Sequence, residues 1–126
     1  MTLIRRNSSS LTPPVGPFVH SVQHGNTLYV SGITAFGCSA QQGPIADQTK
    51  AVFAQIKLIA EEFGASMNTL IRLSVFVTEL DDLDGVRREM FAACGDALPV
   101  TSLMQISGLF SPDLKVEIES TFAVPD

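Results

Sequence analysis

Two helical patterns interrupt a series of runs that are typical of strands. Residues 46–64 place apolar side chains from Val52 to Phe63 at helical spacing, and Gly64 is the expected end of this helix. Residues 81–95 form a second pattern with aspartates suited to its N-terminus, although a glycine in its interior costs about 1 kcal/mol relative to alanine. The two helices divide the chain and limit how its strands can connect.

Strands are predicted on both sides of these helices. A tight Gly-Asn turn joins two β-rich runs, residues 18–24 and 27–32, and so predicts a hairpin. Further strands are predicted over three runs: 69–80, 100–107 and 115–124. The second of these is expected to be buried, because apolar and small polar residues alternate after a proline.

The order β-β-α-β-α-β-β predicts one α+β domain over residues 1–126, with a mixed sheet and both helices on one face. Residues 1–13 are expected to be an extended lead-in. The runs predicted as strands are apolar on both faces, so the face of the sheet away from the helices would expose more apolar area than a monomer tolerates. We therefore expect a homo-oligomer in which sheets pack on each other.

The composition restricts the function. Hydrophobic residues make up 45% of the chain, which argues for a packed core, and the net charge of −5 argues against nucleic-acid and anionic-membrane partners. No run approaches the ~20 apolar residues of a membrane span, and the N-terminus lacks the apolar segment of a secretory signal. We expect a cytoplasmic protein whose Cys38 and Cys94 are free thiols.

The spacing of cysteine and histidine does not predict a metal site. The chain contains no CxxC motif and no cluster of histidines. His20 and His24 lie four residues apart, but in a predicted strand, so each is expected to be solvated or pore-lining. Ser31 ends a predicted strand without the G-x-S-x-G motif of a nucleophile elbow.

Two carboxylates stand out in the last predicted strand. Glu117 and Glu119 are two residues apart and therefore share a face, while Val116 and Ile118 point to the opposite face, which should be the core. The pair could form a plain solvated edge. Alternatively, one carboxylate faces a cleft between subunits, where burial would raise its pKa and suit it to position or deprotonate a water.

The segments GPFVHSV, LYVSG, AEEFGAS, LIRLSVFVTELDDL and LKVEIEST resemble, in this order, the reactive intermediate deaminase A family, also called YjgF or endoribonuclease L-PSP-like proteins. The resemblance covers about residues 14–123. It implies a chorismate-mutase-like fold and a homotrimer with sites in the clefts between subunits. It also implies hydrolysis of enamine or imine intermediates, such as 2-aminoacrylate, to 2-oxo acids and ammonia, without a metal or cofactor.

The resemblance further implies which residues form the site. Glu117 takes the place of the glutamate that positions the water, Ser31 that of a serine, and Arg72 that of a basic residue. Phe18 stands in place of a tyrosine, and Arg87 in place of an asparagine. The candidate substrate-binding residues are Phe18, Ser31, Arg72, Arg87, Thr101, Ser102 and Leu103, and the candidate catalytic residue is Glu117.

Thr101 marks a departure from the family pattern. It stands where relatives have an arginine that grips the substrate carboxylate through two hydrogen bonds, and losing such a partner costs a few kcal/mol. One alternative to an arginine at position 101 is that Arg87, on the neighbouring helix, supplies the positive charge. The other is that the ligand is neutral or larger, with Phe18, Leu103 and Met104 as its apolar lining.

Three functions stay open at this point. The first is hydrolysis of a small imine or enamine, with Glu117 acting on water. The second is a non-catalytic trimer that binds a small metabolite in the same clefts and acts as a regulator. The third is an endoribonuclease, against which the acidic charge and the lack of a basic groove argue.

Overall fold

A computed structural model describes residues 2–126 and shows a six-stranded mixed sheet with two helices. The elements, in chain order, are β1 (Leu3–Arg6), β2 (Ser21–His24), β3 (Thr27–Ile33), α1 (Ile45–Glu61), β4 (Leu70–Val77), α2 (Leu83–Cys94), β5 (Val100–Gln105) and β6 (Val116–Ala123). The strand order is β1-β2-β3-β6-β4-β5, and only β4 and β5 run parallel. The predicted mixed sheet with two helices is confirmed.

The core lies between the sheet and the helices. The helix α1 packs on β3, β6 and α2, and its apolar positions join those of the sheet in one buried cluster. In β6, Ile118 and Phe122 are fully buried, whereas Glu117 and Glu119 point to the opposite face. The predicted division of this strand into a core face and a carboxylate face is therefore confirmed.

The N-terminal segment differs from the sequence prediction only in having a partner strand. Residues 1–13 are predicted to be an extended lead-in, and within it Leu3–Arg6 is extended and pairs antiparallel with β2 at the edge of the sheet. The Arg6 guanidinium lies 4.5 Å from the centroid of the Phe63 ring and donates to the backbone oxygen of Glu62 at 3.0 Å. These contacts to the end of α1 give the segment a place that its own sequence pattern does not specify.

Strand β5 also differs, because it is exposed rather than buried. It occupies the other edge of the sheet, beside β4 alone, and five of its six residues are exposed. The alternation after Pro99 predicts a strand correctly but does not reveal its position at the edge. Among residues 2–126, no helix is both long and apolar enough to cross a membrane.

The glycine inside α2 has a structural reason. The side chain of Asp82 caps the helix by accepting a hydrogen bond from the backbone N–H of Gly85 at 3.0 Å. A Cβ added at Gly85 would lie 2.7 Å from Cγ of Asp82, too close for a real contact. The cap therefore requires glycine here, which offsets its low helix propensity.

A buried amide joins α1 to the start of β6. The side chain of Gln48 is fully buried, and its Nε2 lies within hydrogen-bond distance of the backbone oxygens of Gln41, Gly43 and Asp113 at 2.9, 3.2 and 2.8 Å. Its Oε1 accepts from the backbone N–H of Lys115 at 2.9 Å. One side chain thus satisfies backbone groups of two loops and sets where β6 begins.

We predict that Gln48→Ala lowers the free energy of unfolding by about 2–4 kcal/mol, because it leaves several buried backbone groups without partners. Urea unfolding at a fixed protein concentration measures this difference. The control is Gln42→Ala, which removes an exposed amide that donates to the Asp113 carboxylate and should cost under about 1 kcal/mol. Equal losses for the two variants would contradict a central role for Gln48.

Candidate functional site

A cavity of about 150 Å³ lies at the start of β6 and is lined by Glu117. Its other walls include residues 11–15, where the lead-in ends, and the aromatic rings of Phe18, Phe36 and Phe110. The rings of Phe36 and Phe110 meet edge to face, with centroids 5.3 Å apart and planes at 64°. The cavity therefore places a carboxylate among largely apolar groups, and it brings together Glu117 and Phe18 of the predicted site residues.

The environment of Glu117 changes its acidity. Glu117 is half-buried, whereas Glu119 on the same face is exposed. Burial raises the pKa of the Glu117 carboxyl above its usual value, and the negative charge of Glu119 adds to the increase. A carboxylate with a raised pKa is a stronger base towards a bound water. These conditions differ from those of a plain solvated pair.

Glycine at position 32 makes room for this carboxylate. The pairing of β3 with β6 shifts register at a bulge that contains Ser31 and Gly32. A Cβ added at Gly32 would lie 2.7 Å from Cδ of Glu117. The hydroxyl of Ser31 donates to the backbone oxygen of Val19 at 2.6 Å, so its proton is engaged by the protein itself. The bulge thus sets how closely Glu117 approaches the backbone of β3.

His20 lies beside this cavity. The sequence pattern predicts that its side chain is solvated or lines a pore. The ring is only 4% exposed, so the solvated alternative is wrong, although the ring does border the cavity. The backbone N–H of Ser8 donates to its Nδ1 at 2.9 Å, and its Nε2 lies 3.1 Å from the backbone oxygen of Thr12. Because Nδ1 accepts, Nε2 carries the proton. His20 therefore holds the lead-in that forms one wall of the cavity.

A second cavity, of about 270 Å³, lies between α2 and the start of β5. Arg87 and Thr101, which the resemblance places in the site, both line it. The Thr101 hydroxyl is already engaged, since it donates to the backbone oxygen of Pro99 at 3.3 Å. The structure therefore brings Thr101 of β5 and Arg87 of α2 to the same cavity.

The remaining candidates lie apart from both cavities. Arg72 and Glu119 line a separate pocket on the sheet face away from the helices, together with Ser74. Ser102 pairs with Ser74 and is exposed on that same face. Leu103 points the other way and packs against the core. Within one chain these residues do not share a cavity with Glu117.

The two cavities receive side chains from opposite faces of the sheet. Glu117 pairs with Phe76, and Phe76 pairs with Met104, so these three share a face. Thr101 pairs with Leu73, which is fully buried beneath the helices. Glu117 and Thr101 therefore cannot reach the same face of one small ligand within a single chain.

The thiols do not provide a nucleophile. Cys38 and Cys94 are free, and burial raises the pKa of both thiols, which keeps them in the protonated, unreactive form. Cys94 lines the second cavity as an apolar group. Residues 2–126 also hold no group of three or more His, Cys, Asp or Glu side chains arranged to bind a metal ion.

Comparison with known proteins places this architecture in a family. A family model described as endoribonuclease L-PSP matches residues 9–124, nearly the whole chain. The chain belongs to this family. The match confirms the resemblance drawn from the motifs between residues 14 and 123.

Relatives of the L-PSP family are similar in sequence and structure. A 2-iminobutanoate/2-iminopropanoate deaminase of Dermatophagoides farinae is 29% identical over 121 residues, which cover 93% of this chain and 94% of the relative. Rv2704 of Mycobacterium tuberculosis, described as a member of the YjgF/YER057c/UK114 family, has a crystal structure that is 26% identical with a TM-score of 0.83, covering 98% and 100% of the two chains. The structure of RidA from the Antarctic bacterium Psychrobacter sp. PAMC 21119 is 28% identical with a TM-score of 0.84, covering 94% and 98%.

We predict that Glu117→Gln raises the melting temperature at pH 7. The folded protein holds the Glu117 proton more tightly than the unfolded chain, so ionisation of this group lowers stability as the pH rises above its ordinary pKa of 4.5. Scanning calorimetry should show a gain for Glu117→Gln at pH 7 that becomes smaller at pH 4. Glu119→Gln, at an exposed position, is the control. A lower melting temperature for Glu117→Gln at both pH values would show that the carboxylate stabilises the fold.

Proposed function

We propose that this protein is a cofactor-independent hydrolase that converts small imines or enamines to carbonyl compounds and ammonia. The observation that carries the proposal is the half-buried Glu117, held over Gly32 in a largely apolar cavity with its pKa raised by burial. The names of relatives as imine deaminases support the same reaction class. The acidic net charge of −5 does not support the ribonuclease named in the family description.

The proposed reaction needs one base that later acts as an acid. Glu117 takes a proton from water as the water oxygen bonds to the carbon of the C=N group, and the C=N π electrons move to nitrogen. Glu117 then returns the proton to the nitrogen, which gives an amino alcohol. In a second transfer, Glu117 takes the proton of the new hydroxyl group and delivers it to the nitrogen. The C–N bond breaks with its electron pair on nitrogen, ammonia leaves, and the oxygen forms the carbonyl. A carboxyl with a raised pKa suits both steps, since it holds the proton of water more tightly than an exposed carboxylate does and can still pass it on to nitrogen.

The proposal includes a homotrimer. On the sheet face away from the helices, Tyr29, Val100 and Met104 are 51%, 57% and 41% exposed, which is unfavourable for a monomer in water. Packing of these faces would cover this apolar area. Assembly would also let the Glu117 cavity of one subunit meet the Arg87 cavity of the next, which a single chain cannot do.

The proposed compartment is the cytoplasm. Both cysteines are free thiols in the structure, which agrees with a reducing environment.

The trimer predicts a mass of about three times the 13.5 kDa of the chain. Sedimentation equilibrium at micromolar concentration measures this mass. The variant Met104→Glu places a charge on the apolar face and should shift the mass towards that of a monomer, because an unpaired charge is costly to bury. A wild-type monomer at these concentrations would overturn the proposed cleft between subunits.

The proposed hydrolase mechanism predicts that Glu117→Gln lowers turnover by about 10²–10⁴-fold, because the amide cannot accept the proton of water. Ammonia release from 2-imino acids, generated in the assay by an amino-acid oxidase, measures turnover. Glu119→Gln keeps Glu117 and should change turnover less than about threefold. The rate of the wild type should fall as the pH drops through the raised pKa of Glu117.

A second function is a trimer that binds a metabolite without converting it. It is favoured by Thr101 at the family's arginine position, since threonine cannot form the two charged hydrogen bonds that orient a carboxylate substrate. Saturable binding of a 2-oxo acid by the wild type, with no ammonia release above the uncatalysed rate, would establish this function and exclude the hydrolase.

A further inference from the structure

The cavity between α2 and β5 combines one charge with an apolar wall. Among residues 2–126, Arg87 is the charged member of its lining, and Thr101 is the hydroxyl. The other lining residues are apolar: Leu73, Met90, Phe91, Cys94, Leu98 and Pro99. This composition is typical of a pocket for a molecule with a charged end and an apolar body.

The exposure of two side chains indicates that the apolar wall is open to a ligand. Phe91 and Leu98 are 64% and 62% exposed, although both border the cavity. A ligand that covers them removes apolar surface from water, which is favourable by about 25 cal/mol per Å². Met104 and Leu103, the apolar lining predicted from the sequence, are not part of this wall, because one faces the opposite side and the other packs into the core.

Within the described part of one chain, the charge at this cavity comes from the helix side. Thr101 donates its single proton to the backbone oxygen of Pro99, so it offers a ligand no free donor in this conformation. Arg87 is exposed at the cavity and presents five N–H donors in a planar fork that matches a carboxylate. The cationic group that lines this cavity therefore lies on the helix and not on the strand.

We infer that Arg87 binds the carboxylate of the substrate, and that the wall formed by Met90, Phe91 and Leu98 selects 2-imino acids with a bulky apolar side chain. This inference rests on the proposed function for its reaction but not for its binding step. The cavity of about 270 Å³ is close to the lower end of small-molecule sites, which suits a six-carbon acid. A three-carbon acid would leave the exposed wall uncovered.

The experiment is a calorimetric titration with three stable probes: 4-methyl-2-oxopentanoate, pyruvate and 4-methyl-2-oxopentanamide. The first is the product expected from a leucine-derived imine, the second lacks the apolar body, and the third lacks the charge. The wild type should bind the first on the order of tenfold more tightly than either of the others.

The variants assign the effect to one side chain. Arg87→Gln should raise the Kd of 4-methyl-2-oxopentanoate by on the order of ten- to a hundredfold and abolish its preference over the amide. Arg88→Gln removes the neighbouring arginine of α2, which does not line the cavity, and should bind as the wild type does. Arg87→Lys keeps the charge and should restore part of the affinity. Circular dichroism confirms that each variant is folded.

Each outcome separates this inference from the proposed reaction. If Arg87→Gln still prefers the carboxylate over the amide, or if pyruvate binds the wild type as tightly as the six-carbon acid, the inference is wrong while the Glu117 hydrolase can still hold. If the wild type binds as expected and Glu117→Gln binds equally well, but no ammonia is released by either, the inference holds and the hydrolase is wrong.

Discussion

The alternation of side chains along β6 connects the core of this protein to its candidate site. The strand lies between β3 and β4, with Ile118 and Phe122 buried beneath the helices and Glu117 on the opposite face. A shift of one residue in its register would bury the carboxylate in the core and expose the apolar side chains. The same burial that stabilises the fold therefore also directs Glu117 towards its cavity.

Two local arrangements hold β6 in this register. The Gln48 amide binds the backbone of Asp113 and Lys115, just before the strand begins. At the bulge of β3, the missing side chain of Gly32 allows Glu117 to lie against the backbone. Burial of the carboxyl is the main cause of the raised pKa of Glu117.

The candidate site is divided between the two faces of one sheet. Glu117 belongs to the cavity beside the lead-in, and Arg87 to the cavity between α2 and β5. In the proposed trimer, these two cavities would come from neighbouring subunits. Catalysis would then depend on assembly.

The sequence by itself determined the elements whose patterns are local. Apolar spacing specified α1, the Gly-Asn turn specified the hairpin, and the two-residue period of β6 specified its carboxylate face, because each depends only on neighbouring residues in the chain. Glu117 as a site residue came from the family motif, which the match over residues 9–124 supports at the level of family membership.

The tertiary structure decided the features that depend on distant residues. The strand Leu3–Arg6 forms because β2 offers it an edge, and β5 is exposed because no strand among residues 2–126 pairs with its outer side. Likewise, His20 is buried by a segment 12 residues away, and Arg87 and Thr101 line one cavity because the fold places α2 beside the start of β5. The periodicity of a sequence predicts which side chains of one helix or strand share a face. Which helices and strands pack together depends on the path of the whole chain.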